Sequence, residues 1–229
     1  MDNRYYFNKF EDNSVFILGG EATHLSKVRR SKVGDEIVGF NGDGYDYLLK
    51  IENINKDTIK TKIISKQKNR FLEENNSVVY LSMLKNDALT TAIDNLAELN
   101  VKKVKLFKSD FSVANIDDRK LEKLNAISIQ ASKQCERADI MEVSIIDKKD
   151  IEKDVKSIKN VFFAYENSTN KIQPFKGDFA VIIGPEGGFS DKENEYFTKF
   201  ANNVTISKTI LRAPVACVVA VSILKAVSV

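Results

Sequence analysis

The apolar run Phe179-Ala180-Val181-Ile182-Ile183 leads directly into Gly184-Pro185-Glu186-Gly187-Gly188-Phe189-Ser190. A short run rich in β-branched residues reads as a strand buried on both faces. The segment after it breaks regular structure. Pro185 fixes its own φ, while Gly187 and Gly188 permit positive φ and leave backbone amides bare to a ligand. Ser190 followed by Glu193 is a capping-box signature, so a helix begins there and carries Tyr196, Phe197 and Phe200. Strand, glycine loop and helix in this order point to an α/β domain with a ligand at the loop. The spacing is neither GxGxxG nor GxxxxGKS/T, so neither dinucleotide nor P-loop binding follows from it.

The pattern changes along the chain. Residues 4–7 and 15–18 read as short strands, and Glu21 to Arg30 as a helix with Ala22, Leu25 and Val28 on its inner side. Glu36 to Phe40, Tyr45 to Ile51 and Thr58 to Ile64 alternate as strands, the first two joined by the turn Asn41-Gly42-Asp43-Gly44. These elements predict a compact β-barrel over residues 1–70, with the domain boundary near Arg70. Residues 71–229 alternate differently. Strands at 78–84, 101–107, 141–146, 161–164, 179–183 and 204–206 are separated by helices at 87–99 and 117–135 and by the one opened at Ser190. That order predicts a parallel sheet with helices on both faces. The Val-rich segment Ala213 to Val227 has strand propensity, but its length fits a buried closing helix better.

Composition narrows the chemistry. The 229 residues are 43% hydrophobic, enough for a substantial core, and no basic-apolar-small leader pattern follows Met1, so the expected location is the cytoplasm. The apolar run Val215 to Leu224 is too short for a bilayer of about 30 Å, and no membrane association is expected. Cys135 and Cys217 lie far apart and form no ligand cluster, so neither a disulfide framework nor a metal is expected. A single histidine, His24, excludes mechanisms needing two and leaves a Ser-His-Asp hydrolase only through that residue. Residues 1–70 contain 13 Lys/Arg against 10 Asp/Glu, which accounts for the whole net charge of +3. Lys56, Lys60, Lys62, Lys66, Lys68 and Arg70 form a basic tract that reads equally as phosphate contacts or as a solvated strand face.

Five blocks, in order, resemble the RsmE family of ribosomal RNA uracil-N3 methyltransferases in the SPOUT superfamily. They are His24-Leu25-Ser26-Lys27-Val28-Arg29-Arg30 with Val33-Gly34-Asp35 and the turn at 41–44; Leu84-Lys85-Asn86-Asp87 with Ala97-Glu98-Leu99-Asn100-Val101; Gln134-Cys135-Glu136-Arg137; the glycine loop; and Ile206 to Ala216. Asn100 stands where that family has glycine, and Asn tolerates the left-handed turn. Pro214 and Val215 stand where it has glutamate and threonine beside the methyl-transfer site. Pro suits the first turn of a helix, so local structure can persist, but a polar role at that position is lost.

The resemblance implies an N-terminal PUA-like β-barrel that binds RNA and a C-terminal SPOUT methyltransferase domain, a parallel sheet threaded into a trefoil knot. It implies S-adenosylmethionine (SAM) as cofactor, held by Ile183, Gly184, Pro185, Glu186, Gly187, Gly188, Ile206, Ile210 and Leu211. RNA contacts fall to His24, Lys27, Arg29, Arg30 and Lys85. Arg212, with Arg137 as second candidate, would orient the base or stabilise its developing negative charge. Glu186 reads as a residue that fixes the loop. The implied partners are 16S ribosomal RNA or the small ribosomal subunit, and a second copy of the chain in a homodimer. The rival readings are a noncatalytic RNA-binding or ribosome-assembly factor on the same fold, favoured by Pro214 and Val215, and a nucleotide-binding enzyme. The latter lacks a lysine or carboxylate pair at suitable spacing.

Overall fold

The computed structural model describes residues 4–228, which fall into two compact units. One contains the chain up to Leu72 together with Ser132–Ile140; the other contains Glu73–Ala131 and the chain from Met141 onward. The boundary expected near Arg70 lies close to the first crossing, but the return of residues 132–140 to the N-terminal unit was not legible in the sequence.

In the N-terminal unit, β1 (Arg4–Tyr6), β2 (Lys9–Glu11), β3 (Ser14–Leu18), β4 (Glu36–Phe40), β5 (Tyr45–Ile54) and β6 (Thr58–Lys68) form one curled sheet in the order β1-β4-β5-β6-β3-β2. All its pairings are antiparallel except β1 with β4. Bulges at Leu48/Leu49 and Ile51/Asn53 interrupt the β5–β6 register, a local means of curling a long hairpin. Among the described residues the ladder runs from β1 to β2 without joining them, so the expected barrel takes the form of a curled sheet. Its concave side is filled by Tyr5, Val15, Ile17, Leu49, Ile51 and Ile59, capped by Ala22 and Leu25 of the helical segment. That segment starts as α1 (Gly19–Thr23) and continues through His24–Val28 as a π-helical turn. The strap 132–140 is sewn to the sheet by its backbone. The carbonyls of Arg137, Glu136 and Ala138 accept from Arg4 Nη2, Asn69 Nδ2 and the Gly44 amide at 2.9, 2.9 and 3.2 Å.

In the second unit, β7 (Ser77–Ser82), β8 (Lys103–Phe107), β9 (Glu142–Ile145), β10 (Asn160–Ala164), β11 (Phe179–Ile183) and β12 (Asn202–Val204) form a sheet in the order β12-β10-β11-β7-β8-β9, with every pairing parallel. Strand alternation divides the core in two. Val79, Leu81, Val181 and Ile183 point to one face, covered by α2 (Asn86–Glu98), α3 (Asp118–Gln134) and α6 (Ala213–Val227). Val78, Tyr80, Ala180 and Ile182 point to the other, covered by α4 (Ile151–Asp154) and α5 (Asp191–Thr198). Asn100 closes α2 at φ 58°, the left-handed turn expected of it. Segment 213–227 is helical despite its valines, because Pro214 opens the first turn and Cys217, Ala220, Val221 and Leu224 bury one stripe. Burial of that stripe, at roughly 25 cal/mol per Å², outweighs a propensity difference of tenths of a kcal/mol per residue.

Candidate active site

A cavity of about 270 Å³ opens at the C-terminal ends of three adjacent parallel strands, β12, β10 and β11. This is where ligands bind in open α/β sheets, since the strand ends diverge into loops there. All nine residues assigned to the cofactor from the sequence line it. The loop conformation has separable causes. Gly188 takes φ +72° and its amide donates to the Pro185 carbonyl at 3.0 Å, a turn that favours glycine. Gly184 is excluded from carrying a side chain by packing, for a Cβ there would lie 2.8 Å from the Phe189 ring. Gly187 does not use the positive φ open to it; a Cβ there would sit 3.4 Å from Phe111 Cβ.

The residue that fixes the loop is Glu193, not Glu186. Glu186 is exposed and forms no hydrogen bond or ion pair among the described residues. Glu193 is only 2% exposed; it accepts from the Ser190 amide at 3.1 Å and the Asp110 amide at 2.9 Å, while Ser190 Oγ accepts from the Glu193 amide at 3.3 Å. The capping box read from the sequence is therefore present, with an added ion pair to Lys148 at 2.7 Å. Lys148 also meets Asp110 at 2.6 Å, and this contact with the Ser190 hydroxyl holds the Asp110 carboxyl below the usual carboxylate range.

Tyr165 and Glu166, after β10, and the hydroxyls of Thr205, Ser207 and Thr209, after β12, also line the cavity. The sequence reading missed them; the available signal was their place directly after two strands of a parallel sheet. The lining carries two carboxylates, Glu166 and Glu186, and no lysine or arginine. Such a set repels phosphate and suits a ligand bearing positive charge, with apolar walls from Ile183, Leu211, Ala213 and Ala216 for a flat ring.

Arg212 is the extended residue immediately before α6, between the lining residues Leu211 and Ala213. Its side chain is exposed and forms no ion pair or hydrogen bond among the described residues, so the guanidinium is uncommitted at the rim. Arg137 is placed differently. It is 1% exposed in the N-terminal unit, with Nη2 2.8 Å from Asp139. The guanidinium is enclosed beside Asp139 and is not among the residues lining the cavity. Lys27, Arg29, Arg30 and Lys85 are exposed, and His24 is half-buried beside Tyr5 with ring centroids 6.0 Å apart. Within the basic tract, Lys60 pairs with Glu52, Lys66 with Asp43 and Arg70 with Glu136, as on a solvated strand face. Among the described residues no cluster suited to a metal occurs, and no helix is long and apolar enough to cross a membrane. Neither cysteine is in a disulfide among the described residues, and burial pushes the Cys217 thiol up to about 12.

A parallel sheet with a cavity free of lysine and arginine at its strand ends, together with a separate curled β unit, defines a two-unit α/β protein with a ligand site in its larger unit. The profile of an RNA methyltransferase domain matches residues 72–225 and that of an RNA methyltransferase PUA domain matches 17–64; the chain belongs to the RNA methyltransferase family they describe. The ribosomal RNA small subunit methyltransferase E of Helicobacter pylori is 29% identical over 96% of this chain and 98% of its own length. Its counterpart in Rickettsia conorii is 28% identical over 96% and 93%. The SAM-bound ribosomal RNA small subunit methyltransferase E of Neisseria gonorrhoeae superposes with a TM-score of 0.89 over 99% of this chain and 98% of that one, at 20% identity. A SAM-bound methyltransferase of Legionella pneumophila superposes at 0.86, covering 99% and 98% at 23% identity. At such identities the likeness is one of fold.

Proposed function

We propose that this protein transfers a methyl group from SAM to N3 of a uridine in 16S ribosomal RNA of the small subunit. The observation that carries the reading is the cavity at the strand ends: glycine backbone, neutral hydroxyls, apolar walls and two carboxylates, without a cation. Those groups fit SAM, whose sulfonium and ammonium are positive, and disfavour a nucleoside phosphate. SAM supplies an activated methyl group, so the protein needs chiefly to hold cofactor and base in line. The unpaired guanidinium of Arg212 at the rim stabilises negative charge on a uracil oxygen as N3 loses its proton. The exposed Lys27, Arg29 and Arg30 engage RNA phosphates, with His24 and Lys85 as further RNA contacts. A homodimer through the outer side of α6, where Val215 is exposed, a trefoil-knotted C-terminal domain and a cytoplasmic location complete the proposal.

Pro214 occupies the first turn of α6, where it is structurally at ease, and this supports an active enzyme despite the departure from the family's glutamate. The test is incubation with SAM and small subunits lacking the modification, followed by nuclease digestion and mass spectrometry. N3-methyluridine at one site is expected. Its absence while SAM and RNA both bind would favour the noncatalytic factor, and recovery in Pro214→Glu would assign the defect to that position.

A further inference from the structure

Of the fourteen phenylalanines, thirteen lie against another ring or a cation. Phe111 is the exception. It is the most exposed of them, at 52%, and among the described residues no ring or cation packs on its face. Its backbone is nevertheless tightly held. Ser109 and Ser112 share hydrogen bonds with each other and with Ser82 at 2.6 to 2.9 Å. Between them the Asp110 amide donates to the buried Glu193, and the Asp110 carboxylate accepts from Lys148 and Ser190. Those contacts tie residues 109–112 to the end of β7 and to the start of α5, and so set Phe111 against Gly187 of the cavity-lining loop. The ring itself is outside the cavity lining.

We infer that Phe111 is a stacking platform for an unpaired base of the RNA substrate, beside the cofactor loop. The inference rests on the methyltransferase reading, under which a splayed-out base must arrive at this rim. Single-stranded RNA is recognised by aromatic faces on which bases stack, and a ring on an already ordered backbone loses little further entropy when it is covered. Two lysines flank this segment and could serve the phosphates of that base. Lys108 precedes the segment, and Lys192 lies close enough to Asp110 to act on its charge. The other possible occupants, SAM and a second copy of the chain, would give different signatures.

The chain has no tryptophan, so Phe111→Trp introduces a single indole reporter into the full-length protein. Its emission should be quenched saturably by single-stranded oligouridylate and remain unchanged with SAM alone or on dilution of the protein. In parallel, Phe111→Leu should raise KM for unmodified small-subunit RNA about 10-fold, within the range of roughly 5- to 150-fold known for lost base stacking. SAM affinity by calorimetry should stay at the parental value, and Phe111→Tyr should restore KM. A parental KM in Phe111→Leu would overturn the inference, as would indole emission that follows SAM or protein concentration and ignores oligouridylate. If the parent protein transfers no methyl group at all, the functional reading fails, while the quenching experiment still decides whether a base stacks here.

Discussion

Three glycines in one loop are glycine for different physical reasons, and single alanines should separate them. In Gly184→Ala the new methyl lies 2.8 Å from Cε2 and 3.1 Å from Cδ2 of Phe189, closer than carbon atoms tolerate. The ring cannot yield freely, because it is packed between Phe107, Phe163 and Phe197 with centroids 6.3, 5.3 and 5.1 Å away. Overpacking of this kind costs about 1–3 kcal/mol. For a chain of this length that lowers Tm by about 2–12 °C, taking roughly 2–4 °C per kcal/mol. Gly188→Ala meets only an ordinary contact, 3.5 Å from Glu166 Oε1, but must hold φ +72°. The left-handed penalty of roughly 1–2 kcal/mol, less the stabilisation from a stiffer unfolded chain, leaves about 1 kcal/mol. Gly187→Ala has an unstrained φ and an ordinary contact, so its stability change should stay within about 0.5 kcal/mol. The assay is thermal and urea unfolding of the parent and the three variants without SAM, with calorimetry of SAM binding on those that remain folded. A Gly184→Ala protein that melts with the parent, or a Gly187→Ala protein that melts below it, would refute this division of roles.

Gly187→Val adds a branched side chain to a residue that lines the cavity and should weaken SAM binding at least tenfold with little loss of folding stability; calorimetry at the parental affinity would remove the loop from the cofactor site. Arg212→Ala should cut kcat for methyl transfer about 100-fold or more while SAM affinity changes little, because its exposed guanidinium acts on developing charge; single-turnover rates check this. Arg29 and Arg30 both changed to Ala should weaken RNA binding and flatten the slope of log affinity against log salt, by about 1–2 if each arginine neutralises one phosphate. Burial pushes the Asp154 carboxyl up, but its contacts with Lys105 and Tyr80 outweigh that and hold it below the usual range. Its stabilisation is therefore present above the ordinary carboxylate pKa and lost as pH falls through the depressed value. Asp154→Asn should accordingly destabilise at pH 7, and the difference from the parent in urea unfolding should vanish in strong acid.

The family resemblance pointed to the nine residues that line the cavity; the sequence by itself determined the alternation of strand and helix after residue 71, the glycine loop and the capping box at Ser190. These are local signals: apolar periodicity, a hydroxyl three residues before a carboxylate, and backbone freedom conferred by glycine and proline. The wider end of Ser14–Leu18 and the extra pair Lys9–Glu11 were blurred because short strands carry few side chains to reveal a period. Only the tertiary structure decided what long-range contacts decide. Ser132–Ile140 returns to the N-terminal unit because its carbonyls satisfy Arg4, Asn69 and Gly44, and there Arg137 is buried beside Asp139. Likewise Glu193 is joined to Lys148 and Asp110 across 45 and 83 residues of chain, a linkage no spacing encodes. Phe111 is set apart by the ring partner it lacks among the described residues, and a missing partner is visible only once every other contact has been placed.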